Sequence, residues 1–157
     1  MKWLPKDLDM FLSSKEYVDT ALVPLSPLSF GTGIKQSASS MEFMTILTNE
    51  MERQFKGRIL LMPAFTYLSD WDSALKMELV QDLKKKLLDE GVRHVFFLTS
   101  DAEWKSLEKE LEDSLMWTPS IPLEHMDDSY KKTVIEDQVK QIMAIFIQKW
   151  RGSIDKE

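Results

Sequence analysis

Four short apolar runs, each followed by a stretch of helical periodicity, limit more than any other feature what this chain can fold into. The runs are Thr20-Ala21-Leu22-Val23-Pro24-Leu25, Arg58-Ile59-Leu60-Leu61-Met62-Pro63, Val92 to Thr99, and a shorter one inside Met116 to Met126. They are apolar runs, not apolar–polar alternations, which fits strands covered on both faces. Strands that alternate with helices imply parallel pairing through right-handed crossovers. With a helix opening at Pro5, the chain reads as a helix and then four strand–helix pairs. The fold class is therefore α/β: a three-layer α/β/α sandwich, Rossmann/flavodoxin-like, with a mainly parallel four-stranded sheet. The order 2-1-3-4 is preferred, because the third run is the most apolar and belongs near the centre; 3-2-1-4 is the alternative. Residues 1–157 read as one α/β domain without linker or repeat.

The helix boundaries come from capping chemistry. Pro5 suits a first turn, with Asp7 and Asp9 at the positive end of the dipole, and the first helix runs to about Ser14. Pro24 helps to end the first strand, and Ser26 to Ser40, with Pro27, Gly31, Gly33 and five serines, reads as a loop. Ser39 and Glu42 have capping-box spacing ahead of Met44, Leu47, Met51 and Phe55, with Gly57 closing that helix. Ser69 and Asp72 resemble another cap, before a face of Trp71, Leu75, Leu79, Leu83 and Leu87 that Gly91 closes. Ser100 and Glu103 form a third box, before a helix whose face is Trp104, Leu107 and Leu111. Pro119 and Pro122 confine any fourth strand to a short edge strand. Asp127 and Asp128 open the last helix, whose wide face runs from Tyr130 to Trp150; Gly152 ends it, and a polar tail follows.

Composition removes whole classes of function. The chain has no cysteine and two separated histidines, which excludes disulfide scaffolds, zinc fingers, iron–sulfur clusters and thiol catalysis, and disfavours any transition-metal site. A net charge of −6 argues against nucleic acid, since a polyanion needs a basic surface. No segment approaches the roughly 20 apolar residues of a spanning helix. The opening Met1-Lys2-Trp3-Leu4-Pro5 has no apolar core of a secretory signal, so a cytoplasmic location is expected. No cofactor is implied.

Ligands of open α/β sheets bind beyond the carboxyl ends of strands, at a switch in strand order. That rule selects Ser26, Thr32, Gly33 and Lys35 after the first strand, Thr66 and Tyr67 after the second, Thr99, Ser100 and Asp101 after the third, and His125 after the fourth. Gly31-Thr32-Gly33-Ile34-Lys35 offers backbone N–H groups and a cation to an anion, but neither G-x-x-x-x-G-K-[ST] nor G-x-G-x-x-G is present. His125 titrates near neutrality and is the best-placed acid/base group. No set of residues forms a catalytic constellation, so no catalytic residue is assigned. The acidic pairs Asp7/Asp9, Asp70/Asp72 and Asp127/Asp128 all fall at helix starts and read as caps.

Met1-Lys2-Trp3 through Asp7 and Asp9, then Lys15-Glu16-Tyr17-Val18-Asp19-Thr20-Ala21 and Val23-Pro24-Leu25, resemble the YpiF-like proteins of Gram-positive spore formers. The resemblance covers nearly the whole chain. That family is uncharacterised and brings no catalytic residues to carry over. Similar genes lie beside those of a quinol–cytochrome c reductase, so the resemblance implies a respiratory association. Two functions remain in view. One is a non-catalytic interaction or accessory module that binds a protein partner or itself; Ile145 widens the last helix beyond what one core contact needs. The other is a small-molecule or phosphate-binding domain, or an enzyme, with its site at the strand ends.

Overall fold

The computed structural model describes residues 1–154; the end of the polar tail, 155–157, lies outside the described residues. The elements in order are α1 (Pro5–Ser13), β1 (Thr20–Leu28), a 3-10 turn (Gly31–Gly33), α2 (Ile34–Gln54), β2 (Ile59–Leu61), β3 (Phe65–Leu68), α3 (Ser73–Asp89), β4 (His94–Thr99), a 3-10 segment (Ala102–Ser114), β5 (Leu115–Trp117) and α4 (Asp128–Ile154). The sheet has five strands, not four, because the second run holds β2 alone and a further strand, β3, follows just beyond it. Its order is β2-β1-β4-β5, with β3 also paired to β1, and every one of these pairings is parallel.

Helices cover both faces. Ala21, Val23, Leu25, Val95 and Phe97 pack with Phe11 of α1, Met77 and Val80 of α3, and Trp104 of the 3-10 segment. Leu22, Phe96, Leu98 and Met116 point the other way, onto Phe43, Leu47 and Met51 of α2 and Val139, Ile142 and Phe146 of α4.

Pro24 does not end β1, which continues to Leu28 in the middle of the sheet. Backbone direction explains why. Leu22 accepts from the Met62 N–H, so Leu22, Pro24 and Ser26 turn their backbone groups toward β2 and β3. Opposite Pro24 that neighbour is itself interrupted. Leu22 pairs with Leu61 and Leu25 with Phe65, so three steps on β1 face four on its neighbour. The extra residue, beside Pro63, is a bulge, and the N–H that Pro24 lacks would have faced it. Pro27 faces the other way, beyond Thr99, where β4 has ended.

An odd insertion also exchanges the faces of a strand. Ile59 and Leu61 point toward α2, but Phe65 and Tyr67, beyond the bulge, point toward α3. Thr66 and Tyr67 are therefore strand residues of β3 and not loop residues, and the bulge is what turns Tyr67 inward.

The stretch expected as a loop over Ser26 to Ser40 is mostly regular. Ser37 donates to the Pro27 carbonyl (2.8 Å) and accepts from the Ser29 N–H (3.2 Å), which fastens the first turns of α2 to β1. Ser39 and Glu42 consequently lie inside α2 and cap nothing. Gly91 does close α3, just past the Glu90 cap at φ 107°, a left-handed backbone that costs glycine little, whereas α2 is capped by Phe55 and Gly57, at φ 99°, lies in the turn beyond it. Gly152 does not end α4, which continues to Ile154. The segment after β4 is 3-10 in character and breaks at Glu112, whose φ of 55° separates it from β5.

Candidate functional site

The carboxyl ends of β3 and β4 carry a closed polar network on the α3 face. The Tyr67 hydroxyl donates to Asp101 Oδ2 (2.6 Å) and accepts from the Trp104 indole N–H (2.7 Å). The two rings meet edge to face, 5.7 Å apart. Asp101 Oδ1 accepts from the Glu103 N–H (3.1 Å), so Asp101 is the cap of the 3-10 segment and the expected Ser100–Glu103 box does not form. Thr99 ties the turn to β1: its hydroxyl donates to the Leu25 carbonyl (3.1 Å) and accepts from the Asp101 N–H (3.0 Å).

Glu103 is turned to α3 instead. Its carboxylate meets the Lys76 ammonium at 2.8 Å and accepts from the Ser73 hydroxyl at 2.6 Å. Lys76 is 1% exposed and donates also to the Ser69 carbonyl (2.9 Å). The sequence pattern placed Leu75 and Leu79 on the buried face of α3, but both are exposed; Lys76, Met77, Val80 and Leu87 form it. The signal was present. Lys76, Val80, Leu83 and Leu87 keep helical spacing, and only the charge of lysine argued against that face. Its long stem packs as a hydrophobe while its head is paired.

Burial, and then the bond to Asp101, push the Tyr67 phenol far above its ordinary value, so it stays a proton donor. Lys76 first, and then Ser73, hold the Glu103 carboxyl below 4.5. Every strong group here is matched by a neighbour in the same chain. The arrangement latches β3, β4 and α3 together.

The other expected site residues are spread around this latch. Ser26 lies in β1 two residues before its end and Ser100 directly follows β4, its neighbour, and both hydroxyls are buried with no hydrogen-bond partner among the described residues. Ser26 also borders a cavity of about 120 Å³ beneath Thr48 of α2. Thr32, Gly33 and Lys35 stand at the start of α2, where Lys35 meets Glu124 at 3.5 Å on the surface. That pair joins the first and fourth loops. Thr66 is exposed, donating weakly to the Ala64 carbonyl (3.4 Å). His125 projects into solvent, 3.9 Å from Glu124, with its side chain 90% exposed. Among the described residues, no group of three or more His, Asp or Glu side chains is placed to hold a metal ion, and no helix is long and apolar enough to cross a membrane.

The two edges of the sheet present a second candidate site. At the β2 edge, Leu61 donates to the Met1 carbonyl (2.7 Å) and the Met1 ammonium donates to the Ile59 carbonyl (2.8 Å). That ammonium is buried against Glu52 at 2.7 Å. The outward backbone groups of β2 are thus occupied. At the far edge, β5 pairs, among the described residues, with β4 alone. Thr118 donates to the Thr99 carbonyl, so on the alternation of the strand Leu115 and Trp117 turn their backbone groups outward. A groove of about 490 Å³ follows β5 between the 3-10 segment and α4. Trp117 (38% exposed) and Ile145 (44% exposed) flank it, and Lys105 covers the Trp117 ring at 3.5 Å. Trp150, by contrast, is buried and donates to Thr20 (2.8 Å).

A family model described as a protein of unknown function (DUF2487) matches residues 9–150, a span that holds both the latch and β5. The chain is similar to the uncharacterized protein YpiF of Bacillus subtilis (strain 168), with 35% identity over 153 residues, covering 96% of this chain and 98% of that protein. No solved structure matches. The resemblance seen in the opening residues therefore extends along the molecule, and the chain belongs to the DUF2487 family of YpiF-like proteins.

Proposed function

We infer that the chain is a non-catalytic interaction module and that β5 is its docking edge. The observation that carries this reading is the open edge itself: outward backbone groups on Leu115 and Trp117, beside the exposed side chains of Trp117 and Ile145. An edge of this kind is a template for another strand, and most proteins blunt it. The occupant we assign is a second copy of the chain. Lys105 and Lys149 share the groove with Glu108 and Asp113. A patch with both signs is complementary to itself across a two-fold axis. The same proposal takes the whole chain as one domain, a Rossmann/flavodoxin-like sandwich working in the cytoplasm. It also makes the dimer an accessory to a respiratory complex, on the gene neighbourhood of similar proteins.

Trp117→Pro tests the docking edge. Its N–H turns away from β4, so a proline there removes no bond within the sheet. Sedimentation velocity should show a dimer for the wild type and a monomer for the variant, with unchanged far-ultraviolet circular dichroism. A wild type that stays monomeric at millimolar concentration would sink the proposal.

One observation favours the second reading, a small polar ligand at the strand ends. Ser26 and Ser100 leave two buried hydroxyls unpaired where β1 and β4 diverge to opposite sides of the sheet. Ser26 and Ser100 would hold such a ligand, with Thr32, Gly33 and Lys35 at the start of α2 beside it and Thr66, Tyr67, Thr99 and Asp101 behind them, while His125 stands apart in solvent. A thermal-shift screen with nucleotides and sugar phosphates is the check. Stabilisation of the wild type that Ser26→Ala abolishes supports this reading, and no stabilisation by any of them ends it.

A further inference from the structure

A groove of about 580 Å³ lies between α2 and α4, remote from β5. That volume falls within the roughly 300–1,000 Å³ of small-molecule sites. Its apolar part comes from Ile46, 38% exposed on α2, and Ile135 of α4. The charges around it are unequal: five lining side chains are cationic and three are anionic.

The anions are already engaged. Glu52 holds the buried Met1 ammonium at 2.7 Å. Glu50 accepts from Arg53 Nε (2.9 Å) and from the Gln54 amide (3.1 Å), and Arg53 holds its carboxyl below the ordinary range. Glu136 meets Lys132 at 4.0 Å. Among the described residues no carboxylate lies within ion-pair distance of the side-chain ammonium of Lys2, Lys56 or Lys131, although Asp7 accepts from the Lys2 backbone N–H (2.7 Å). A chain of net charge −6 thus gathers unpaired cations around one apolar-floored groove. A solvated surface tends to intersperse its signs.

We propose that the groove between α2 and α4 binds a small amphiphilic anion, its apolar body over Ile46 and Ile135 and its sulfonate, phosphate or carboxylate head against Lys2, Lys56 and Lys131. The charge excess selects an anion, and the volume selects a small molecule. Uncompensated cations attract such a head without the cost of breaking an existing pair.

The probe is 8-anilinonaphthalene-1-sulfonate, with N-phenyl-1-naphthylamine as the same aromatic body without charge. Fluorescence titration of the full chain should show saturable binding of the sulfonate and at least about tenfold weaker binding of the neutral amine. Lys56→Glu with Lys131→Glu should weaken the sulfonate by about tenfold or more. Lys84→Glu with Lys85→Glu, on α3, should leave it unchanged. Both pairs are surface changes, and circular dichroism verifies that they fold. Should the charge reversal perturb the fold, the milder pair Lys56→Gln with Lys131→Gln carries the same expectation. Equal affinity for the two probes, or sulfonate binding indifferent to the groove substitutions, overturns the proposal. Binding to phosphatidylglycerol vesicles without binding the sulfonate in solution also overturns it, in favour of a membrane surface.

Discussion

The two edges of the sheet face the same physical problem and meet it differently. At β2 the outward backbone groups are bonded to Met1, whose ammonium is buried with Glu52, and further along the Pro63 bulge interrupts the strand. At β5 nothing among the described residues pairs with Leu115 and Trp117 on their outer side, and exposed apolar groups stand next to them. An unpaired edge is a hazard unless something covers it. The β2 part of one edge is covered from within the chain, and β3, which continues that edge beyond the bulge, carries no exposed aromatic side chain; β5 joins outward backbone to exposed apolar groups, so it is where a second chain would find an edge to pair with. Polar groups already matched within the chain hold the structure together, and unmatched ones are free to bind.

The largest effect should come from opening the closed edge. Glu52→Ala leaves the Met1 ammonium buried without its carboxylate, and removing one partner of a buried pair costs about 3–5 kcal/mol. Urea unfolding should show that loss, together with a tendency to aggregate through the exposed β2 edge. A loss below about 1 kcal/mol would mean that Met1 does not guard that edge.

Next comes the latch that holds β3 behind it. Tyr67→Phe keeps the ring but leaves the Trp104 N–H unpaired in the core, which costs about 1–3 kcal/mol. Chemical denaturation checks it. The phenol also sets an alkaline limit. Its folded value is raised, so its contribution is complete below the unfolded value of 10.0 and is lost as pH rises beyond it.

A smaller effect lies at acid pH. The Glu103 carboxyl is held low by Lys76, so its contribution is complete above the unfolded value of 4.5 and is lost as pH falls through the lower folded value. The stability difference between wild type and Glu103→Gln should therefore shrink in acid. A constant difference from pH 7 down to pH 2 would show that the pair contributes no charge–charge stabilisation.

The smallest change in stability belongs to the open edge. Ile145→Lys alters an exposed side chain and should move stability by no more than about 0.5 kcal/mol. The same substitution should weaken the dimer, measured by sedimentation equilibrium. If it unfolds the chain instead, Ile145 belongs to the core and the contrast between the edges fails.

What the sequence revealed, and what it hid, follows the same division. The apolar runs of β1 and β4 were plain because both faces of those strands are covered. Capping was only partly legible. Asp72 and Asp127 do accept from backbone N–H groups, of Ala74 and Tyr130. Ser100 gave way to Asp101, since either residue suits a cap and only tertiary contact with Tyr67 decides. Pro24 misled because its compatibility with a central strand depends on a bulge forty residues away in β2–β3, which no local pattern records. Lys76 was hidden because its burial depends on Glu103, on another element. Of the expected site residues, Tyr67, Thr99 and Asp101 come together, but in a latch. Ser26 and Ser100, on or just past neighbouring strands, each keep an unpaired hydroxyl among the described residues. His125 stays apart, in solvent.

The contrast between the edges is tested most directly by amide hydrogen exchange, residue by residue, at increasing protein concentration. The Leu115 and Trp117 amides should exchange freely in the dilute chain and become protected as it associates, while the Leu61 amide, bonded to Met1, should be protected throughout. Leu115 and Trp117 amides that exchange alike at every concentration, or concentration-dependent protection at the β2 edge instead, would contradict that contrast.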